Sequence, residues 1–175
     1  DVYKRQFSPS SLTTYIENPL TFFDNYLLKT DEYKNVIENP EALGIGRIFH
    51  NSMQDLYSPL VGQILDENKL KGLKKNQEKV INNRFEQEYG KSFKRGKNLI
   101  AFDVLKMAII ALIDHDIKKI KNGIEIKLIS VEDQISTSFI TKKSKIKYKL
   151  KGFIDRIQTE NGHTKIIDYK TGGSI

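Results

Sequence analysis

Two aspartates, a lysine and an Asn-Gly turn are the residues of this chain whose types and spacing could do chemistry. Asn161-Gly162 is the strongest short hairpin signal available, because both central positions of a type I′ turn take positive φ. With these two as the loop, Glu160 pairs with His163 and Asp155 comes to stand opposite Asp168. Directly paired β-carbons lie roughly 4.5–5.5 Å apart, and like charges placed there are destabilising. Two facing carboxylates therefore need a cation between them or a shared proton. Lys170, two residues beyond Asp168, projects from the same face, and Tyr169 points away from it. Phe153 and Ile166 share the carboxylate face and are expected to dry and rigidify it.

The hairpin before this one is registered by matching its apolar residues. With residues 141–144 as the loop, Phe139 meets Ile146, Thr137 meets Tyr148 and Ile135 meets Leu150. Glu132 then falls opposite Phe153, beside Asp155, as a third carboxylate; a β-bulge would shift this register. The same register sets Lys145, Lys147, Lys149 and Lys151 on the carboxylate face. They read as a cationic lane for a phosphate backbone, or as the wet side of an amphipathic hairpin.

The elements that must position these residues are helical first and extended later. Ser8-Pro9 is a helix start with a serine cap and proline at the first helical position. Asn18-Pro19 restarts the pattern, and Phe22, Phe23, Tyr26 and Leu27 follow at helical spacing; residues 29–42 read as a loop. Gly44-Ile45-Gly46 leads into a helix through about Tyr57, with Ile45, Phe49, Met53 and Leu56 on one face. Residues 74–89 form a charged helix, and Leu99 to Lys121 a longer one closed by Asn122-Gly123. Phe102, Leu105, Ile109, Leu112, Ile113 and Ile117 are its core-facing set. From Ile126 onward the period drops to two, which marks strands.

The length, 175 residues, suits one domain. We read residues 7–175 as that domain, with 7–122 mainly helical and 126–175 the meander that carries the carboxylates. Residues 1–6 resemble a translated adapter and are read as a leader foreign to the fold. Lys and Arg number 29 against 22 Asp and Glu, and the net charge of +7 favours polyanionic partners. The absence of cysteine excludes disulfides, zinc ribbons and thiolate-held iron–sulfur clusters. No apolar run approaches a membrane span and no signal pattern opens the chain, so a cytoplasmic location is expected.

Gly152-Phe153-Ile154-Asp155-Arg156, followed by Ile166-Ile167-Asp168-Tyr169-Lys170-Thr171-Gly172, resembles the core of the RecB-like (AddB-like) branch of the PD-(D/E)XK nucleases. Gly44 to His50 is similar to the glycine-then-histidine helix of that family, and Phe7 to Leu12 with Tyr15 and Asn18-Pro19 to its helical entry. The resemblance implies an α/β, restriction-endonuclease-like fold. In it, N-terminal helices pack on a small mixed sheet that begins with an antiparallel three-stranded meander. It implies Mg²⁺ or Mn²⁺ held by His50, Asp155, Asp168 and the Tyr169 backbone carbonyl, with Glu132 in support and Lys170 acting on the attacking water and the phosphate. No iron–sulfur cluster can accompany it. The implied activity is metal-dependent hydrolysis of DNA phosphodiester bonds in repair, recombination or defence, by an exonuclease or an endonuclease. The implied partners are DNA and a fused or recruited helicase. The rival expectation is a nuclease-like DNA-binding or scaffolding module without catalysis. The family continues beyond the lysine with a further helix and strands, so the chain is read as C-terminally incomplete.

Overall fold

The computed structural model describes residues 6–28, 40–91, 93–94, 96–140 and 147–170. It is mixed α/β, with five α-helices among the described residues and a small mixed sheet. The chain divides into two units. One holds described residues of 1–38 with 134–153, the other those of 39–133 with 154–175.

In the first unit, α1 (Pro9–Glu17) opens on a capping box in which the Ser8 hydroxyl accepts the Ser11 N–H at 3.1 Å. Asn18 then caps α2 (Pro19–Phe22), which runs on as a π-helical turn over Phe23–Leu28. Each cap satisfies N–H groups that a helix start leaves without partners. Phe22 is the buried centre of an aromatic cluster, with the rings of Tyr15 and Tyr26 both 5.3 Å away and Phe7 at 6.3 Å. Gln6, counted with the leader in the sequence, forms with Phe7 the short strand β1, paired in parallel with Lys149 and Leu150.

The second unit contains the main core. Helix α3 (Pro40–Tyr57) buries Phe49, Met53 and Leu56; α4 (Glu67–Tyr89) buries Leu70, Ile81 and Phe85. Helix α5 (Gly96–Lys121) buries Phe102, Leu105, Ile109, Ile113 and Ile117, as its apolar period requires, with Leu112 half-buried beside them. It stops at Gly123, whose φ of 81° lets the chain turn out of the helix. Ile126 and Leu128 then start β2 (Ile126–Ile140) inside the same core.

β3 (Lys147–Glu160) is the central strand, with β2 and β4 (His163–Ile167) as antiparallel neighbours. Asn161 and Gly162 both take positive φ, and the β3–β4 ladder runs from Glu160↔His163 to Arg156↔Ile167. The next pair would be Asp155 and Asp168, and pairing ends there. Directly opposed like charges disfavour that rung. The loop assigned to residues 141–144, and Lys145 and Ile146 beside it, lie outside the described residues. Ile135 and Phe139, expected on an apolar face, are exposed, as are Phe153 and Ile166, each at 67%. Phe153 and Ile166 therefore do not dry the carboxylate face.

Lys119 on α5 reaches the end of this hairpin and donates to Glu160 Oε1 at 2.6 Å. That hydrogen bond holds the Glu160 carboxyl below its ordinary value of 4.5. A depressed carboxyl stabilises the fold fully above its ordinary pKa, and the contribution fades as pH falls through the lowered folded value. Lys119→Met should therefore lower the urea midpoint at pH 7, and the difference from wild type should shrink below pH 4. An equal difference at both pH values would show that lost packing, not charge, is the cause.

Candidate metal centre

Three elements of the second unit bring one donor each to a single point. His50 comes from the middle of α3, Glu132 from β2 and Asp155 from β3, and one ligand atom of each lies within 4.8 Å of the others. His50 Nδ1 is hydrogen-bonded to Glu132 Oε1 at 2.9 Å and lies 3.6 Å from Asp155 Oδ1. The Asp155 carboxylate is 11% exposed and accepts the Tyr169 backbone N–H on Oδ2 at 2.5 Å.

The local backbone explains how these side chains arrive. His50 follows Phe49, whose buried ring anchors that turn of α3 and meets the Tyr169 ring edge-on at 5.6 Å. Glu132 has φ 48°, a left-handed conformation that is costly for a residue with a β-carbon. Burial along β2 shows what it does. Ile126 and Leu128 are buried at even positions, and then Ser130, Val131 and Glu132 are all half-buried. The strict alternation of burial is lost over these three residues, where the left-handed Glu132 interrupts the extended backbone. The strained residue is the one that turns a third carboxylate toward His50.

Asp168 and Lys170 are placed differently. Both follow the end of β4 in irregular backbone and are exposed, and they pair with each other at 2.6 Å between Nζ and Oδ2. That hydrogen bond raises the Lys170 pKa, and the charge of Asp155 adds to the effect. Both residues border a cavity of about 720 Å³ with Phe49, His115, Asp116 and Arg156. In the first unit, Lys147 and Lys149 are exposed and Lys151 is half-buried. Lys145 lies outside the described residues.

The donor chemistry suits a hard divalent cation. Bonds of about 2.0–2.1 Å, as for Mg²⁺, put neighbouring ligand atoms roughly 3 Å apart, and the His50–Glu132 separation of 2.9 Å is of that size. Two carboxylates with one imidazole favour Mg²⁺ or Mn²⁺ over softer, thiolate-seeking metals.

Residues 6–174 match the PD-(D/E)XK nuclease superfamily. The chain belongs to that superfamily. It is similar to a subunit of the ATP-dependent helicase/deoxyribonuclease of Carboxydothermus hydrogenoformans, at 34% identity over 96% of this chain and 16% of that protein. The same-named proteins of Alkaliphilus oremlandii and Alkaliphilus metalliredigens are 33% and 30% identical, each over 94% of this chain. The chain spans about a sixth of the length of these relatives. No solved structure gives a significant match. No helix among the described residues is long and apolar enough to cross a membrane.

Sequence reasoning missed a buried polar group beside the superfamily motif. Arg156, next to Asp155, is 2% exposed and donates from Nη1 to Asp116 Oδ2 at 2.7 Å. Tyr57 donates to the same oxygen at 2.9 Å, and its ring lies 4.5 Å from the guanidinium carbon. Burial works against the charge of Arg156, but Asp116 holds its pKa above the ordinary value. Burial, with Asp116 acting in the same direction, pushes the Tyr57 phenol well up. The signal for Asp116 was in the sequence: it lies three residues after Ile113 and seven after Ile109, a carboxylate inside the core stripe of α5.

Proposed function

We propose that this chain is the nuclease domain of an enzyme that hydrolyses DNA phosphodiester bonds with Mg²⁺ or Mn²⁺. The observation that carries the reading is the His50–Glu132–Asp155 donor group, met in a chain of the PD-(D/E)XK nuclease superfamily. His50, Glu132 and Asp155 would hold the cation, with Asp168 and the Tyr169 carbonyl completing the set. When bound, the cation supplies a Lewis acid that neutralises the scissile phosphate and eases deprotonation of water. The chain's own part is positional and electrostatic. The Tyr169 N–H keeps the Asp155 carboxylate from turning away from His50. Asp168, now paired with Lys170, would be a further ligand, and the Lys170 ammonium would orient the attacking water and offset charge developing on the phosphate. The basic excess and the lysines of β3 favour a phosphate backbone as partner.

The likeness to ATP-dependent helicase/deoxyribonuclease proteins supports action beside a helicase, and we propose repair, recombination or defence in the cytoplasm as its setting. The mutual pairing of Asp168 and Lys170 favours a second reading, a binding module without catalysis, because neither residue needs to leave the other in order to bind DNA.

The deciding experiment assays the full-length gene product on linear single- and double-stranded DNA with Mn²⁺, beside Asp168→Ala and Lys170→Ala. Cleavage lost in both variants supports the nuclease. DNA binding without cation-dependent cleavage by the wild type leaves the binding module.

A further inference from the structure

We propose that Tyr57, Asp116 and Arg156 form a buried clamp that sets the spacing of the His50–Glu132–Asp155 group. Asp116 is then a positioning residue for cation binding. The inference rests on the metal-site reading above.

Each end of the clamp is tied to one ligand. Arg156 follows Asp155 on β3, so the two side chains leave opposite faces of the strand, one toward Asp116 and the other toward His50. Tyr57 follows His50 by seven residues on α3, two helical turns, and so lies on the same side of that helix. Asp116, on α5, takes both hydrogen bonds on one oxygen, at 2.7 Å from Arg156 and 2.9 Å from Tyr57. The three elements that meet there are α3, α5 and β3. A slide of α3 along β3 that moved His50 away from Asp155 would have to break one of those bonds.

Tyr169 joins the same arrangement from the other side. Its half-buried ring meets Phe49 of α3 edge-on at 5.6 Å. Its backbone N–H holds Asp155 Oδ2. Tyr169 therefore links α3 to the carboxylate it orients, beside the strand that carries Arg156.

Stability alone does not call for such a group. A buried ion pair often contributes no more than apolar residues of the same volume. What hydrogen-bonded charges add is direction: the guanidinium, the carboxylate and the phenol each fix a distance and an angle, where packed leucines would tolerate a slide. Groups hydrogen-bonded to a metal's ligands commonly alter its affinity by about 10–100-fold when lost, and Asp116 acts on the ligands through Arg156 and Tyr57.

The test measures Mn²⁺ affinity of the 175-residue chain by electron paramagnetic resonance of free Mn²⁺, well below each variant's melting point. Asp116→Asn and Tyr57→Phe are compared with wild type, and circular dichroism checks that each is folded. His50→Ala marks the site. The expected result is Mn²⁺ binding weakened about 10–100-fold in Asp116→Asn and about 10-fold in Tyr57→Phe, with helix content unchanged. Folded variants that melt earlier yet bind Mn²⁺ as wild type does would overturn the clamp and leave a structural ion pair. If Asp116→Asn fails to fold, Tyr57→Phe decides, because it removes one hydroxyl and keeps the ring against Arg156. A wild type that binds no Mn²⁺, or a His50→Ala that binds equally well, would overturn the metal-site reading itself and the clamp with it.

Discussion

Asp155→Asn should abolish cation-dependent DNA cleavage, lowering its rate by at least roughly 10²–10³-fold, while the chain stays folded. Asp155 is where the connections of the site converge. One of its oxygens faces His50 at 3.6 Å and the other accepts the Tyr169 N–H. Asparagine has nearly the same shape and still offers one carbonyl to that N–H, so the end of β4 keeps its anchor. What it loses is the negative charge, in a place only 11% exposed where water cannot replace it. The cation would then lose one of the carboxylates that offset its charge, with Glu132 and Asp168 left. The measurement is the initial rate on linear DNA at saturating Mn²⁺, with near-ultraviolet circular dichroism to confirm the fold. A variant that cleaves at the wild-type rate would show that the chemistry does not use the His50 group.

The path from residues to this site was legible wherever a local rule had only one solution. Asn161-Gly162 can close a hairpin in one register only, and the observed rungs from Glu160↔His163 to Arg156↔Ile167 are that register. Helix α5 was legible for the same reason. A run with apolar residues at 102, 105, 109, 113 and 117 has one face to bury, and that face is buried. The family resemblance, resting on the residues around Asp155 and Asp168, agrees with the superfamily match over residues 6–174.

What could not be read depends on residues distant in sequence. Extending the Asn-Gly register by one more rung put Asp168 directly against Asp155. The ladder instead stops at Ile167, and each carboxylate takes a nearer partner, the Tyr169 N–H for Asp155 and Lys170 for Asp168. Period-two alternation also does not locate the left-handed residue at Glu132, because residue types alone do not show where a strand departs from extended backbone. Phe153 and Ile166 look like core by type and are exposed. Asp116 is the opposite case, a charged residue whose core position is readable from the helix period but whose partners, Tyr57 and Arg156, lie 59 and 40 residues away.

That buried pair leads to the second large effect. Arg156→Leu should destabilise the chain by about 3–5 kcal/mol, because it leaves the Asp116 carboxylate buried with, among the described residues, the Tyr57 hydroxyl as its remaining partner. At roughly 2–4 °C per kcal/mol for a chain of this size, the melting temperature should fall by on the order of 10 °C. Adding Asp116→Leu removes the stranded charge and should restore most of the loss, since leucines fill a similar volume at no desolvation cost. Thermal melts of the two single variants and the double variant complete the cycle. A double variant as unstable as Arg156→Leu would mean that lost packing against Tyr57, not the orphaned carboxylate, sets the cost. The same double variant separates stability from positioning. With the fold restored and the directional bonds of the clamp gone, α3 loses its buried tie to β3, and the Mn²⁺ affinity should stay low while the melting temperature recovers.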